Sequence, residues 1–213
     1  MIRHTLRNGK VNWVMANAVK TSERAPVTGL SVSDLAVFLG FGTFISASET
    51  TMLQVFMDSA IEMLVKFSGY EPSEVTYSMR YDRHPLAINE TYGIFSEGEY
   101  SEWIQIPRRP IKSVDEVRLS GDVVVDYDTD LLSNPPRLAL NSFSITLSNV
   151  SFAEIEIDVT CGPDGDVNPT FVTAALMLSS FLYNNRGCGA KSPISDSGAA
   201  GIIRPLKVAI GGL

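Results

Sequence analysis

Hydrophobic and polar positions alternate most cleanly at residues 153–161. Ile155, Ile157, Val159 and Cys161 fall on one side of a period of two, and Glu154, Glu156, Asp158 and Thr160 on the other. That pattern predicts a strand with one buried face. The run Gly162-Pro163-Asp164-Gly165-Asp166 ends it, and a helical period follows. Phe171, Ala174, Ala175, Leu178, Phe181 and Leu182 recur at three- and four-residue steps, predicting a helix over residues 169–186. Asn168 stands where a side-chain oxygen can take the first free amides, Pro169 where a missing N–H costs nothing, and Gly187 where a left-handed residue closes the last turn. Val172, Leu176 and Tyr183 form a second, weaker stripe. A helix with two apolar stripes wants two packing partners, one its own domain and the other a further subunit.

Earlier in the chain, Ser31 or Ser33 can cap a short helix that Gly40-Phe41-Gly42 breaks. Ser46-Ala47-Ser48-Glu49 has capping-box spacing ahead of a longer helix to Phe67, with Leu53, Phe56, Met57, Ala60, Ile61 and Leu64 on one face and Gly69 after its end. Between these helices and residue 161 the period is two. Strands are expected at residues 74–80, 103–106, 116–119, 123–127, 137–140, 144–147 and 153–161, at the short spacing of an antiparallel meander. The predicted fold is α+β: a small helical core with an inserted antiparallel β-rich module and flexible amino- and carboxy-terminal arms. The expected divisions are an arm at 1–30, a helical core at 31–70 and 162–187, a β-rich module at 71–161, and a linker with an arm at 188–213. Within the first arm, Val11, Trp13, Val14 and Met15 form a small apolar anchor. The last, Ile202 to Ile210, is interrupted by Pro205 and reads as a strand or extended arm that adds to a partner's surface.

Charge sharpens this picture. The 213 residues carry a net −7, spread unevenly. Residues 1–30 hold five basic side chains and one acid, and residues 186–213 hold four and one; the middle holds eight basic and 22 acidic groups. An acidic body is a poor nucleic-acid binder, because counterion release needs clustered Lys and Arg. Basic ends suit docking on an acidic surface of another subunit or protein. The apolar patch at residues 11–15 is too short for a signal core, and the run from Phe171 to Tyr183 is shorter than the roughly 20 residues of a spanning helix. Neither export nor membrane insertion is expected. Cys161 and Cys188, too few for a metal cluster, fit a reducing compartment.

Three stretches, in order, resemble one family. They are Asp34-Leu35 with the helix ending in Ser68-Gly69; Ile106-Pro107-Arg108-Arg109-Pro110-Ile111-Lys112-Ser113-Val114-Asp115-Glu116-Val117; and the strand, Gly162, Pro169 and apolar helix running into Leu182-Tyr183-Asn184-Asn185-Arg186. Together they cover residues 31–210 and resemble the head–tail connector (adaptor, or head-completion) proteins of tailed bacteriophages. The 30-residue amino-terminal extension and the large strand-rich middle depart from that family's compact pattern.

The resemblance implies a structural virion protein rather than an enzyme: a ring, usually twelve-fold, seated under the portal protein. It would connect capsid to tail and pass double-stranded DNA without binding it specifically. The implied partners are further copies of this chain, the portal, and a tail or nozzle protein, with assembly in the host cytoplasm, a place in the virion neck and no membrane contact. Phe171, Val172, Leu176, Tyr183 and Arg186 become candidates for core and ring packing. Ile202, Ile203, Arg204, Pro205, Leu206 and Lys207 become candidates for portal docking, and Glu154, Glu156 and Asp158 for lining a channel.

Motifs that carry chemistry are sparse. Asp126, Asp128 and Asp130 begin like a calcium loop, but Leu131 stands where Gly is needed and Arg137 where a bidentate Glu is needed. His4 and His84 sit in no nucleophile pattern. No phosphate-cradling glycine loop is present. Arg108-Arg109 is a candidate anion grip or a solvated bend. No catalytic residue, metal or cofactor is expected. The competing reading is a monomeric β-domain that binds a ligand or acts as a small enzyme.

Overall fold

The computed structural model describes residues 13–41, 45–83, 103–119, 121–140, 154–186 and 192–209. The chain divides into two compact units, residues 24–74 with 162–208, and residues 1–23 with 75–161 and 209–213.

The helical unit begins with α1 (Val32–Phe38) and α2 (Ala47–Ser68). Both start on a serine box: Ser31 takes the amide of Asp34 and Asp34 returns to Ser31, and Ser46 and Glu49 repeat the exchange. Each box satisfies amides that a helix start otherwise strands. Gly69, at φ 73°, closes α2. α3 (Pro169–Asn184) is capped by Asn168, whose Oδ1 accepts from Thr170 N at 2.9 Å. Its small pair Ala174 and Ala175, fully buried, lets α3 approach α2 closely, and Phe171 and Leu178 join Leu53, Met57, Ala60, Ile61 and Leu64 in one core. Residue 187 lies outside the described residues; the α3 cap that is seen is Asn185, whose amide donates to Phe181 O at 3.0 Å.

Two one-turn helices, α4 (Pro193–Asp196) and α5 (Ala199–Ile203), and a 3-10 turn (Arg204–Leu206) complete this unit. Here the expectation of a linker and an extended strand fails. Ile203 and Leu206 are buried in the helical core, and α5 lies against α3. Burying two large aliphatic side chains is worth roughly 3–6 kcal/mol. That exceeds the helix penalty of Gly201, and Pro205 is accommodated because it opens the tighter turn. Val208 N then donates to Ser68 O at 2.7 Å, tying the segment to the end of α2.

In the β unit, β1 (Trp13–Lys20), β2 (Val75–Arg83), β8 (Glu154–Cys161), β4 (Ile111–Leu119) and β5 (Asp122–Val123) form one antiparallel sheet in that order. β3 (Ile104–Gln105), β7 (Arg137–Leu140) and β6 (Tyr127–Asp130) form a second. Residues 13–20, assigned from sequence to the amino-terminal arm, therefore form an edge strand. Tyr77, Met79 and Tyr81 of β2 lie opposite Val159, Ile157 and Ile155 of β8, so the register gathers the alternating apolar side chains on one face. Val117 of β4 and Ile104, Leu138 and Leu140 of the smaller sheet close that core. Tyr81 donates its hydroxyl to Gln105 O at 3.0 Å, and burial pushes that phenol above its ordinary range. The predicted strand at 144–147 lies outside the described residues.

Candidate assembly surfaces

The second stripe of α3 is occupied within the subunit. Val172 and Leu176 are half-buried against the helical core. Tyr183 makes edge contacts with Phe41 at 5.6 Å and Phe56 at 6.0 Å between ring centroids. The Arg186 guanidinium lies 4.3 Å from the Tyr183 ring centre and approaches Met52 Sδ at 3.2 Å. Tyr183 and Arg186 thus fasten the end of α3 to the start of α2. Nearby, hydrogen bonds from Ser46 hold the Glu49 carboxyl below its ordinary range, with a smaller contribution from Arg186.

The open face of α3 is a different one. Met177, Phe181 and Asn184 line a shallow groove with Phe38 of α1, and Asp196 and Ser197 form its far wall. Phe38 is 49% exposed and its neighbour Val37 75%. The wall is built locally: Pro193 starts the one-turn α4, Asp196 Oδ2 accepts from Ser192 N at 3.4 Å, and Gly198, at φ 78°, turns the chain beside Met177. The sequence signal for this face was Met177, an apolar residue on neither named stripe, one turn before Phe181 of the first stripe.

The carboxy-terminal candidates separate by burial. Ile203 and Leu206 are core residues and Ile202 is half-buried, whereas Arg204, Pro205 and Lys207 are exposed on the 3-10 turn and its exit. Lys207 Nζ lies 5.1 Å from the Phe67 ring centre.

Glu156 and Asp158 lie on the polar face of the five-stranded sheet. The cross-strand neighbour supplies a cation. Arg118 of β4 reaches Glu156 at 3.3 Å and Asp158 at 3.0 Å, and also pairs with Glu116. The hydrogen bond to Glu116, with Asp158 and Glu156 behind it, raises the guanidinium further above its already high range. Arg118 is 38 residues from Glu156 along the chain, so the pairing arises only in the fold. Arg118 is shared by three carboxylates, and Arg80 of β2 stands opposite Glu156 in the register, so the acids still outnumber the cations here.

Arg108 stacks 5.0 Å from the Tyr77 ring centre and donates to Pro107 O at 3.1 Å. Asp130, from the calcium-like run, pairs with Arg137 at 2.8 Å, and that Arg137 covers the Trp103 ring at 4.6 Å. Among the described residues, no group of three or more His, Cys, Asp or Glu side chains is arranged to hold a metal ion. Among them, too, no helix is long and apolar enough to cross a membrane.

No protein-family model matches this sequence, and no curated protein matches it. Solved structures do. A chain in the neck of an empty gene transfer agent particle, computed with C6 symmetry, superposes with a TM-score of 0.64 at 17% identity, covering 92% of this chain and 98% of the other. A chain in the virion of the native gene transfer agent particle matches with the same values. A chain in the neck of the native particle, computed with C12 symmetry, matches with a TM-score of 0.53 at 18% identity, covering 95% and 98%. Coverage of that extent takes in both units. The fold is shared with the neck of a phage-like particle, as the resemblance to head–tail connectors implied.

Proposed function

We propose that this protein is a head–tail adaptor: a structural, non-enzymatic virion component whose copies close a twelve-membered ring beneath the portal, joining capsid to tail and passing the genome. The observation that carries the reading is the near full-length correspondence of fold with neck chains of particles solved with C6 and C12 symmetry. The open groove between α1, α3 and α4 supports it, since it leaves Phe38 half exposed beside Val37, and exposed apolar side chains that cluster mark contact surfaces.

In this reading the exposed Arg204, Pro205 and Lys207 meet the portal, held in shape by Ile203 and Leu206 beneath them. The net-negative cluster of Glu116, Glu156 and Asp158 suits a wall past which DNA slides, because like charge and the lack of releasable counterions both disfavour sticking. The β unit lies on the ring's flank or its tail-side face. Assembly takes place in the host cytoplasm, and the mature location is the virion neck.

Mass photometry of the purified protein, alone and with its cognate portal, tests the reading. A species twelve times the 23.2 kDa chain, or a portal complex carrying that many copies, is expected. An inert monomer under both conditions, together with no density for the chain at the neck of labelled particles, would overturn it.

A further inference from the structure

We infer that the groove lined by Phe38, Met177, Phe181 and Asp196 receives the basic amino-terminal segment, residues 1–12, of a neighbouring copy of this chain. The inference rests on the adaptor reading only for the presence of neighbouring copies.

Three observations converge on that occupant. The groove sets Phe38, Met177 and Phe181 among Ser180, Asn184, Asn185 and Ser197, with Asp196 as its one charged group, so it calls for a segment with apolar anchors, polar side chains and positive charge. Residues 1–12 have that chemistry: Ile2, Leu6 and Val11 as anchors, Arg3, Arg7 and Lys10 as cations, and no acid. The unit that presents the groove holds nine acidic and six basic side chains, a net −3 set against the segment's +3. Such a pairing favours encounter at a distance as well as contact.

The segment precedes the edge strand β1, and 12 residues extend to about 40 Å. A segment given by each copy and a groove offered by each make a head-to-tail contact, which repeats around a closed ring without needing a self-complementary face. The amino-terminal extension then has a task that a compact connector leaves to other contacts.

A synthetic peptide of residues 1–12, labelled at its carboxy end, is titrated against the protein lacking residues 2–12 and followed by fluorescence anisotropy. Saturable binding is expected, at least tenfold weaker with Phe38→Glu and again with Asp196→Lys. Reversing the peptide's cations (Arg3→Glu, Arg7→Glu) should restore binding to Asp196→Lys. Circular dichroism on each variant verifies the fold, and Phe38→Ser serves if Phe38→Glu unfolds. No saturable binding, or binding indifferent to both groove substitutions, overturns the inference. Undiminished rings from the truncated protein also overturn it while leaving the adaptor reading intact. If intact protein forms no ring at all, the adaptor reading falls, and the titration still decides whether segment and groove fit.

Discussion

Arg24 lays its guanidinium across the fully buried carboxylate of Glu71, with Nε 3.3 Å and Nη2 3.1 Å from the same oxygen. Its Nη1 reaches Glu62 at 2.5 Å. Burial works against the charge of Arg24, but Glu71 and then Glu62 outweigh it and raise its pKa. Beside the pair, Ala25 N donates to Glu74 O at 3.0 Å and Ser73 Oγ to Ala25 O at 2.6 Å, so the chain entering the helical unit is pinned to the chain leaving α2. Arg24→Ala should cost about 3 kcal/mol in urea unfolding, because the buried carboxylate loses its main cation. Arg24→Leu combined with Glu71→Leu should recover part of that loss, since the desolvation cost goes with the charges.

Gly162 allows no side chain. Its φ is +130°, and a Cβ there would lie 2.8 Å from the carbonyl carbon and oxygen of Ser73 and 2.9 Å from Glu74 Cα. The obstacle is backbone, which cannot swing aside. Gly162→Ala should lower stability by roughly 3 kcal/mol, read as a fall in the urea midpoint.

Removing the Ser46 cap tests the start of α2. Ser46→Ala should cost about 1 kcal/mol. It should also return the Glu49 pKa toward its ordinary range, seen in an NMR titration of the carboxyl. The sign follows from the downward shift: ionised Glu49 stabilises the fold above the unfolded carboxylate value of about 4.3, and that contribution is lost as pH falls through the folded value. The stability gap between the native protein and Glu49→Gln should therefore close in acid.

Buried and exposed residues of the carboxy-terminal segment should behave oppositely. Ile203→Ala is expected to destabilise the helical unit by about 3 kcal/mol. Arg204→Ala with Lys207→Ala should leave the thermal midpoint within a degree or two and weaken portal binding, measured by co-sedimentation. Truncation before residue 202 would confuse the two effects, because it removes core side chains along with the exposed ones.

Arg118→Ala leaves Glu116, Glu156 and Asp158 close together without their shared cation. The thermal midpoint should fall at low ionic strength and recover as sodium chloride is raised, which screens the repulsion. The native protein should show little such salt response.

The elements with unbroken periodicity and local punctuation were legible in the sequence: α1, α2, α3, β7 and β8 lie within a residue or two of their expected bounds. Strand β4 was half seen. Its pairing slips between Ile111 and Ser113 and again between Val114 and Glu116, and each bulge resets an alternation that sequence reading takes as unbroken. Strand β1 was missed for the same reason, with a slip between Met15 and Asn17. The stretch read as one strand at 123–127 belongs to two, β5 and β6, in different sheets. α5 was hidden by Gly201 and Pro205, because tertiary burial of Ile203 overrides propensity. Among the candidate surfaces, the exposed carboxy-terminal cations could be named from sequence. The groove could not, since Phe38 and Phe181 are 143 positions apart and meet only in three dimensions.

Strand β1 has a consequence for anyone wishing to exchange modules between related chains. Cutting out residues 75–161 as a cassette would strip β2 of its outer neighbour and leave a raw row of amides and carbonyls. A clean transplant must carry residues 13–23 as well, so heredity cannot shuffle this sheet with a single insertion; two distant pieces of the gene have to travel together.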